Sequence, residues 1–305
     1  MNTITSRLLL ACICIGASPL VAQTKTASPL PAATFSNVSY GSHERHVLDF
    51  WQAKTDATAP LLIFIHGGGW HGGGKTDLPV KLLDYMLKHG ISVASINYRY
   101  TSTATLPGPV HDAARAVQFL RTKAADWKLD PARFGAYGIS AGATTSLWLA
   151  YHDDLADARN ADPIARQSTR LQVAVGLSPQ TCLEPEIITA WIGDPVLAHP
   201  MIARAVGAKK LDELKHPRPE WVTLLHEFSV ITHVSAGDPP VLISNPKVDP
   251  LPATSAGSAI HHAIFGVKLK EKADAAGVTC ILRIQEQPDA TPEPEAFLLE
   301  QLTRK

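Results

Sequence analysis

Residues Arg133–His152 read RFGAYGISAGATTSLWLAYH, and the hydrophobic pattern changes character halfway along them. Up to Ser140 the run is short and apolar, as in a buried strand; beyond Ala141 it is longer and suits a helix. At the junction stands Gly138-Ile139-Ser140-Ala141-Gly142, a serine with a glycine two residues away on either side. A strand that passes directly into a helix turns so sharply that these two flanking positions meet other backbone, so both must be small. The serine is then left in a strained conformation, its Oγ raised over the carboxyl end of the sheet. The amide of Ala141, at the helix N-terminus, faces the same place. An ordinary Gly/Ser turn would account for the five residues alone. Strand, turn and helix in register favour a nucleophile elbow, with Ser140 as the nucleophile.

A second motif lies upstream. FIHGGGWHGGGK, Phe64–Lys75, follows a continuous apolar run of the kind found in a strand covered on both faces. Gly67, Gly68 and Gly69 offer unhindered backbone N–H groups, suited to a developing oxyanion. Gly67 and Gly68 are therefore the candidate oxyanion donors beside Ala141. A flexible loop is one other reading; a phosphate cradle over Gly72–Lys75 is another, but it lacks P-loop spacing. His66 and Trp70 are expected to brace the loop and take no part in the chemistry.

Working outward, short apolar runs alternate with helical patterns. HVLDFW, LLIFIH, ISVASINYRY, RFGAYGIS, LQVAVGLS, PPVLISN and TCILRIQ read as strands. DLPVKLLDYMLKHG, PVHDAARAVQFLRTKAADW, AGATTSLWLAYH, HHAIFGVKLKEKADAAG and EPEAFLLEQL read as helices. This alternation predicts an α/β fold, a mostly parallel central sheet with helices on both faces. Residues 180–237 carry few strand signals and are expected to form a helical or irregular cap-like insertion within a domain spanning 35–305.

Formal net charge is zero, with 45% hydrophobic and 18% charged residues. Nothing in that balance draws nucleic acid or an anionic membrane through a bulk field. Residues 1–22 carry one positive charge at Arg7, an apolar run and small residues near Ala22, the pattern of a secretory signal peptide. The run is too short and interrupted to span a membrane. A secreted or periplasmic protein is expected, with lipid attachment at Cys12 less favoured. Residues 23–34 read as a Pro/Ala/Thr linker. Of the four cysteines only Cys182 and Cys280 lie beyond the leader, as buried free thiols or as a bridge between them.

The elbow and the glycine loop together resemble the α/β-hydrolase fold, and more closely its esterase/lipase branch with a His-Gly-Gly-Gly-Trp loop, which includes hormone-sensitive-lipase-like and feruloyl-esterase-like members. INYRY (Ile96–Tyr100), HDAARAVQFLR (His111–Arg121) and LDPARFGAYGISAGA (Leu129–Ala143) match that branch, and the resemblance runs from about Ser39 to the C-terminus. It implies hydrolysis of carboxylic esters, a structural role for Asp112, and a triad in the order serine, acid, histidine. By that order the acid follows the strand beginning PPVL, and Asp249 is its candidate, although an Asp-Pro turn residue is an equally plain description.

The base departs from the pattern. The family places it just after the last strand, where this chain reads RIQEQPDATPEPEAF, and no histidine follows His262. A carboxylate there would be a weak base at neutral pH. His261 and His262, expected at the start of a helix after the Asp249 loop, are the candidates to replace it, because triads are defined by geometry and not by chain position. Helix-start packing is their simpler description. His226 and His233 are weaker candidates, and His152 is expected to pack. No cofactor and no metal site is expected, since no Cys/His cluster has metal-ligand spacing. Two functions follow: a serine hydrolase acting on a small-molecule or polysaccharide-linked ester, or a hydrolase fold with impaired turnover retained to bind a ligand or partner.

Overall fold

The computed structural model describes residues 29–285 and 291–304. The expected leader of residues 1–22, with Cys12, lies outside the described residues, as do Glu286, Gln287 and Asp289 of the loop where the family keeps its base. Strand β1 (Phe35–Ser39) runs antiparallel to β2 (Val47–Trp51) at one edge. Strands β3 (Ala59–Ile65), β4 (Ser92–Ile96), β5 (Leu129–Ile139), β6 (Val173–Leu177), β7 (Val241–Asn245) and β8 (Cys280–Ile284) complete the sheet. Its order is β1-β2-β4-β3-β5-β6-β7-β8, and every pairing from β4 to β8 is parallel. The expected α/β architecture is therefore present, with β1 an unforeseen addition.

Why β3 reads as an unbroken apolar run is plain from its neighbours. Leu61, Ile63 and Ile65 point into a core shared with α2 (Gly108–Thr122) and α3 (Ala141–Tyr151). Leu62 and Phe64 point into a second core, against α1 (Val80–Lys88) and the C-terminal helix, Pro294–Thr303. With side chains alternating between two covered faces, no position in the strand is left for a polar residue. The end of the predicted linker is docked: Trp51 Nε1 donates to the Pro31 carbonyl at 2.9 Å, and Thr34 Oγ1 accepts from the Gln52 amide at 3.0 Å.

Between β6 and β7 there is no strand among the described residues. The cap region contains α4 (Pro185–Ile192), α5 (Pro200–Val206) and α6 (Pro219–Glu227), joined by 3-10 turns. The helix expected from His261 to Gly277 is present from Ile264 to Ala275, and a short helix not foreseen from sequence precedes it. Helix α7 (Ala256–Ile260) starts at Ser255, whose side chain accepts from the Ser258 amide, and stops at His261. Helix α8 (Ile264–Ala275) begins after His262, whose Nδ1 accepts from the Ile264 amide at 3.0 Å. His261 and His262 thus sit between two helices, where successive side chains face different ways. The last helix becomes α9 in chain order. Cys182 and Cys280 are buried free thiols, and the Cys280 thiol is pushed up to about 12 by burial. No helix among the described residues is long and apolar enough to cross a membrane.

Candidate active site

The junction of β5 and α3 has the geometry its glycines require. Ser140 adopts φ 53°, ψ −119°, a strained conformation for a residue with a Cβ. A methyl on Gly138 would stand 2.1 Å from the Gly142 carbonyl oxygen, and one on Gly142 would stand 2.1 Å from that of Ile65. Only hydrogen fits at either position. The Ser140 amide donates to Leu177 O at 2.8 Å, and its carbonyl accepts from the Thr144 amide at 2.9 Å. The turn is thereby fastened to β6 on one side and to its own helix on the other.

Ser140 Oγ lies 2.9 Å from His261 Nε2. The other ring nitrogen, Nδ1, lies 3.2 Å from the Gly257 carbonyl oxygen. A carbonyl can only accept, so the proton of the neutral ring sits on Nδ1 and the Nε2 lone pair faces the serine hydroxyl. That is the tautomer a general base needs. Burial lowers the His261 pKa below its ordinary value, partly offset by the Gly257 hydrogen bond. The net lowering leaves the ring neutral near pH 7.

Two buried amides hold this segment. Asn245, ending β7, donates through Nδ2 to the His261 carbonyl at 3.2 Å. Gln180, after β6, donates through Nε2 to the Ile260 carbonyl at 2.8 Å, and its own amide donates to Thr144 Oγ1 at 2.9 Å. His261 is therefore tied to the helix that begins at Ser140. Neither amide has a sequence signal; each matters only because distant strands end side by side.

Asp249 and His262 stand elsewhere. The Asp249 carboxylate pairs with Lys247 Nζ at 3.2 Å. The Asp249 backbone carbonyl accepts from His262 Nε2 at 2.8 Å, and with Nδ1 engaged by Ile264 both His262 nitrogens are committed. His262 is 2% exposed, and neither of its ring nitrogens is bonded to Ser140. Among the described residues no carboxylate hydrogen-bonds either nitrogen of His261. The expected Asp249-to-imidazole contact is thus replaced by a backbone contact to the neighbouring ring, because the break at 261–262 sends the two histidines apart.

The glycine loop lies flush against the elbow. A methyl on Gly67 would stand 2.8 Å from Ile139 O and 3.5 Å from Ser140 Cβ. Tyr98 Oη donates to the carbonyls of His66 and Gly67 at 2.8 and 3.0 Å, and His66 Nδ1 donates to Gly67 O at 2.8 Å. In a trans peptide the N–H points opposite to the carbonyl, so these bonds aim the Gly67 and Gly68 amides away from the body of the loop. His66 is fully buried against Tyr98, and burial lowers its pKa to about 4, so it stays neutral. Trp70 Nε1 donates to Thr145 Oγ1 of α3 at 3.0 Å. His66 and Trp70 therefore brace the loop.

Asp112 is structural in its contacts: its carboxylate accepts from the Arg99 amide and guanidinium at 2.6–2.9 Å and lies 3.1 Å from His46 Nε2. Burial alone would raise its pKa, but these donors hold it down to about 2. From the cap, α5 closes one side of the site. The His199 ring lies 6.3 Å from that of His261, and a methyl on Gly69 would be 3.6 Å from Met201.

A BD-FAE family model matches residues 48–264. The chain is 28% identical over 222 residues to the probable carboxylic ester hydrolase LipM of Mycobacterium tuberculosis, covering 70% of this chain and 48% of that protein. It is 35% identical over 116 residues to esterase LipQ of the same organism, covering 37% of this chain and 28% of the relative. The chain thus spans about half the length, or less, of these curated relatives. Among solved structures, a truncated carbohydrate esterase from gut microbiota superposes with a TM-score of 0.70 at 21% identity, covering 91% of this chain and all of that one. An acetyl ester-xyloside bifunctional hydrolase from Caldicellulosiruptor lactoaceticus superposes with a TM-score of 0.61 at 24% identity, covering 78% and 76%. Both share the fold.

Proposed function

From a chain that belongs to the BD-FAE family, with 217 of its residues, 48 through 264, inside the family match, we propose a carboxylic ester hydrolase that works through a Ser140–His261 dyad. The observation that carries the proposal is the 2.9 Å approach of Ser140 Oγ to an imidazole whose proton is held on the far nitrogen. Ser140 Oγ attacks the ester carbonyl carbon while His261 Nε2 takes the hydroxyl proton. The amides of Gly67, Gly68 and Ala141 receive the oxyanion. As the bond to the alcohol oxygen breaks, the imidazolium returns that proton to the leaving alcohol. Water then attacks the acyl-serine with the same base, restoring the free hydroxyl and releasing the acid.

The orienting group in this scheme is the Gly257 carbonyl. It fixes the tautomer and the ring angle as an acid would, but a neutral dipole stabilises the developing imidazolium less than a carboxylate does. Turnover slower than that of a full triad is the expected consequence. Asp249 and His262 position the segment through their backbone-to-ring bond. Short acyl esters, including acyl groups on polysaccharide, form the substrate class we propose, because α5 crowds the site from above and the two solved neighbours are a carbohydrate esterase and an acetyl ester-xyloside hydrolase. The leader-like residues 1–22 support export to the periplasm or medium.

A fluorophosphonate probe and a panel of nitrophenyl esters and acetylated oligosaccharides test this. Labelling of the wild type, lost in Ser140→Ala, with turnover lost in His261→Ala and retained in Asp249→Asn, whose backbone carbonyl still holds His262, is the expected result. A wild type that neither labels nor turns over any ester would overturn the dyad and favour a ligand-binding hydrolase fold.

A further inference from the structure

Away from the active site, the far end of the nucleophile helix carries a cluster that no sequence motif announces. His152 caps α3, Glu227 ends α6, and His233 follows the 3-10 turn at Val230–Thr232. One donor atom from each lies within 4.8 Å of the other two. We propose that His152, Glu227 and His233 form a binding site for a divalent transition metal of the zinc class, joining α3 to the cap.

The hydrogen bonding of His152 is the argument. Its Nδ1 lies 2.8 Å from the Asp153 carbonyl, which can only accept, so Nδ1 carries the proton. In the neutral ring Nε2 is then a lone pair, yet it faces Glu227 Oε1 at 3.0 Å. Two acceptors at that distance need a cation between them, either a second proton on the ring or a metal ion. The third donor points to the metal: the His233 ring is tilted against His152 with centroids 4.7 Å apart, bringing a second imidazole to the same residue. His233 Nε2 donates to the Glu227 carbonyl at 2.5 Å, which holds the ring against that residue and leaves Nδ1 as the lone pair for the ion.

Two imidazole nitrogens and one carboxylate oxygen suit zinc, with a fourth position left for water. Donors around a tetrahedral zinc stand roughly 3.3 Å apart, given bonds of about 2.0–2.1 Å. The His152–Glu227 pair, at 3.0 Å, is close to that spacing, and the His233 donor lies within 4.8 Å of both. The surroundings are set in advance. Trp148 stacks on His152 at 4.0 Å, and its indole N–H donates to the Glu227 carbonyl at 2.9 Å. The Asp153 carbonyl on Nδ1 is the outer partner that orients a metal-bound imidazole. Glu227, with its side chain 46% exposed, leaves the open position facing solvent.

Tag-free protein, stripped with a chelator and dialysed, is titrated with zinc chloride at pH 7.5 by calorimetry, with bound metal measured by elemental analysis and melting followed in parallel. The expected result is one zinc per chain, a Tm raised by roughly 2–6 °C at saturation, and equal binding by Ser140→Ala. His152→Phe, which keeps the stack on Trp148, and Glu227→Gln, which keeps the shape, should each weaken binding at least about 10-fold while melting normally without metal. Absence of stoichiometric zinc in the wild type would leave an imidazolium–carboxylate pair as the answer and overturn the proposal. Undiminished binding in both variants would overturn it equally, by placing the metal elsewhere.

Discussion

Ser140 stands where two elements adjacent in the chain meet, whereas His261 stands between two helices and is fastened by side chains from two other segments. The nucleophile's backbone is fixed by glycines two residues away, by its own helix and by β6. Its strain is imposed locally, and any chain that folds β5 onto the sheet and α3 beneath it will reproduce the turn. The base depends on Asn245 from β7, Gln180 from the β6 loop and the Gly257 carbonyl of α7. The two halves of the proposed dyad therefore differ in how they would fail. Damage to the elbow should unfold the protein, while damage to the base loop should leave it folded and slow.

The largest effect is expected from removing the reacting atoms themselves. Ser140→Ala and His261→Ala should each lower kcat by about 10⁴-fold or more, with the double variant little worse than either, since paired groups act as a unit. Rates that multiply in the double variant would separate the pair. Next comes the elbow. Gly142→Ala puts a methyl 2.1 Å from a backbone oxygen in the sheet, and a loss of about 3 kcal/mol or more in stability is expected. Urea unfolding of the variant checks this; a melt like that of the wild type would show the elbow to be more tolerant than its geometry implies.

Asn245→Leu and Gln180→Leu probe the other half. Each removes one donor from the His261 segment and should lower kcat by roughly 10- to 100-fold with KM little changed and the Tm lowered by a few degrees. A fall in stability without a fall in kcat would mean that these amides do not position the base. The pH profile follows from burial. Because the folded His261 pKa lies below its ordinary 6.5, the neutral ring persists to lower pH, and kcat/KM should fall only as pH drops below about 6.5. An acid limb centred above that value would contradict a buried neutral base. The smallest effect is expected at Asp249→Asn, less than about 3-fold in kcat, because its carboxylate pairs with Lys247 while its backbone carbonyl, unchanged by the substitution, holds His262. A loss of 100-fold or more would restore Asp249 as the triad acid.

Much of the fold was legible because its signals are local. The apolar run of β3, the periodicity of α2 and the glycine spacing around Ser140 each encode their own structure within a few residues. The helix expected from His261 to Gly277 starts three residues later, at Ile264, because the His262 ring accepts from the Ile264 amide, a local bond that no helix pattern advertises. Strand β1 was missed because its exposed sequence FSNVS lacks clear alternation. The base was narrowed to two neighbouring histidines and no further, since choosing between them takes the direction of each side chain.

By itself the sequence determined the parallel sheet, the strained serine and the glycine loop beside it, because covered strands and sharp turns restrict which residues can occupy them. Tertiary structure alone decided that His261 faces Ser140, that a backbone carbonyl stands behind it, and that His152, Glu227 and His233 meet. Those relations join residues far apart in the chain, and they exist only once the ends of β6 and β7 and the cap have packed against α3. Short-range sterics are written in neighbouring residues; the meeting of distant side chains is written only in the packed whole.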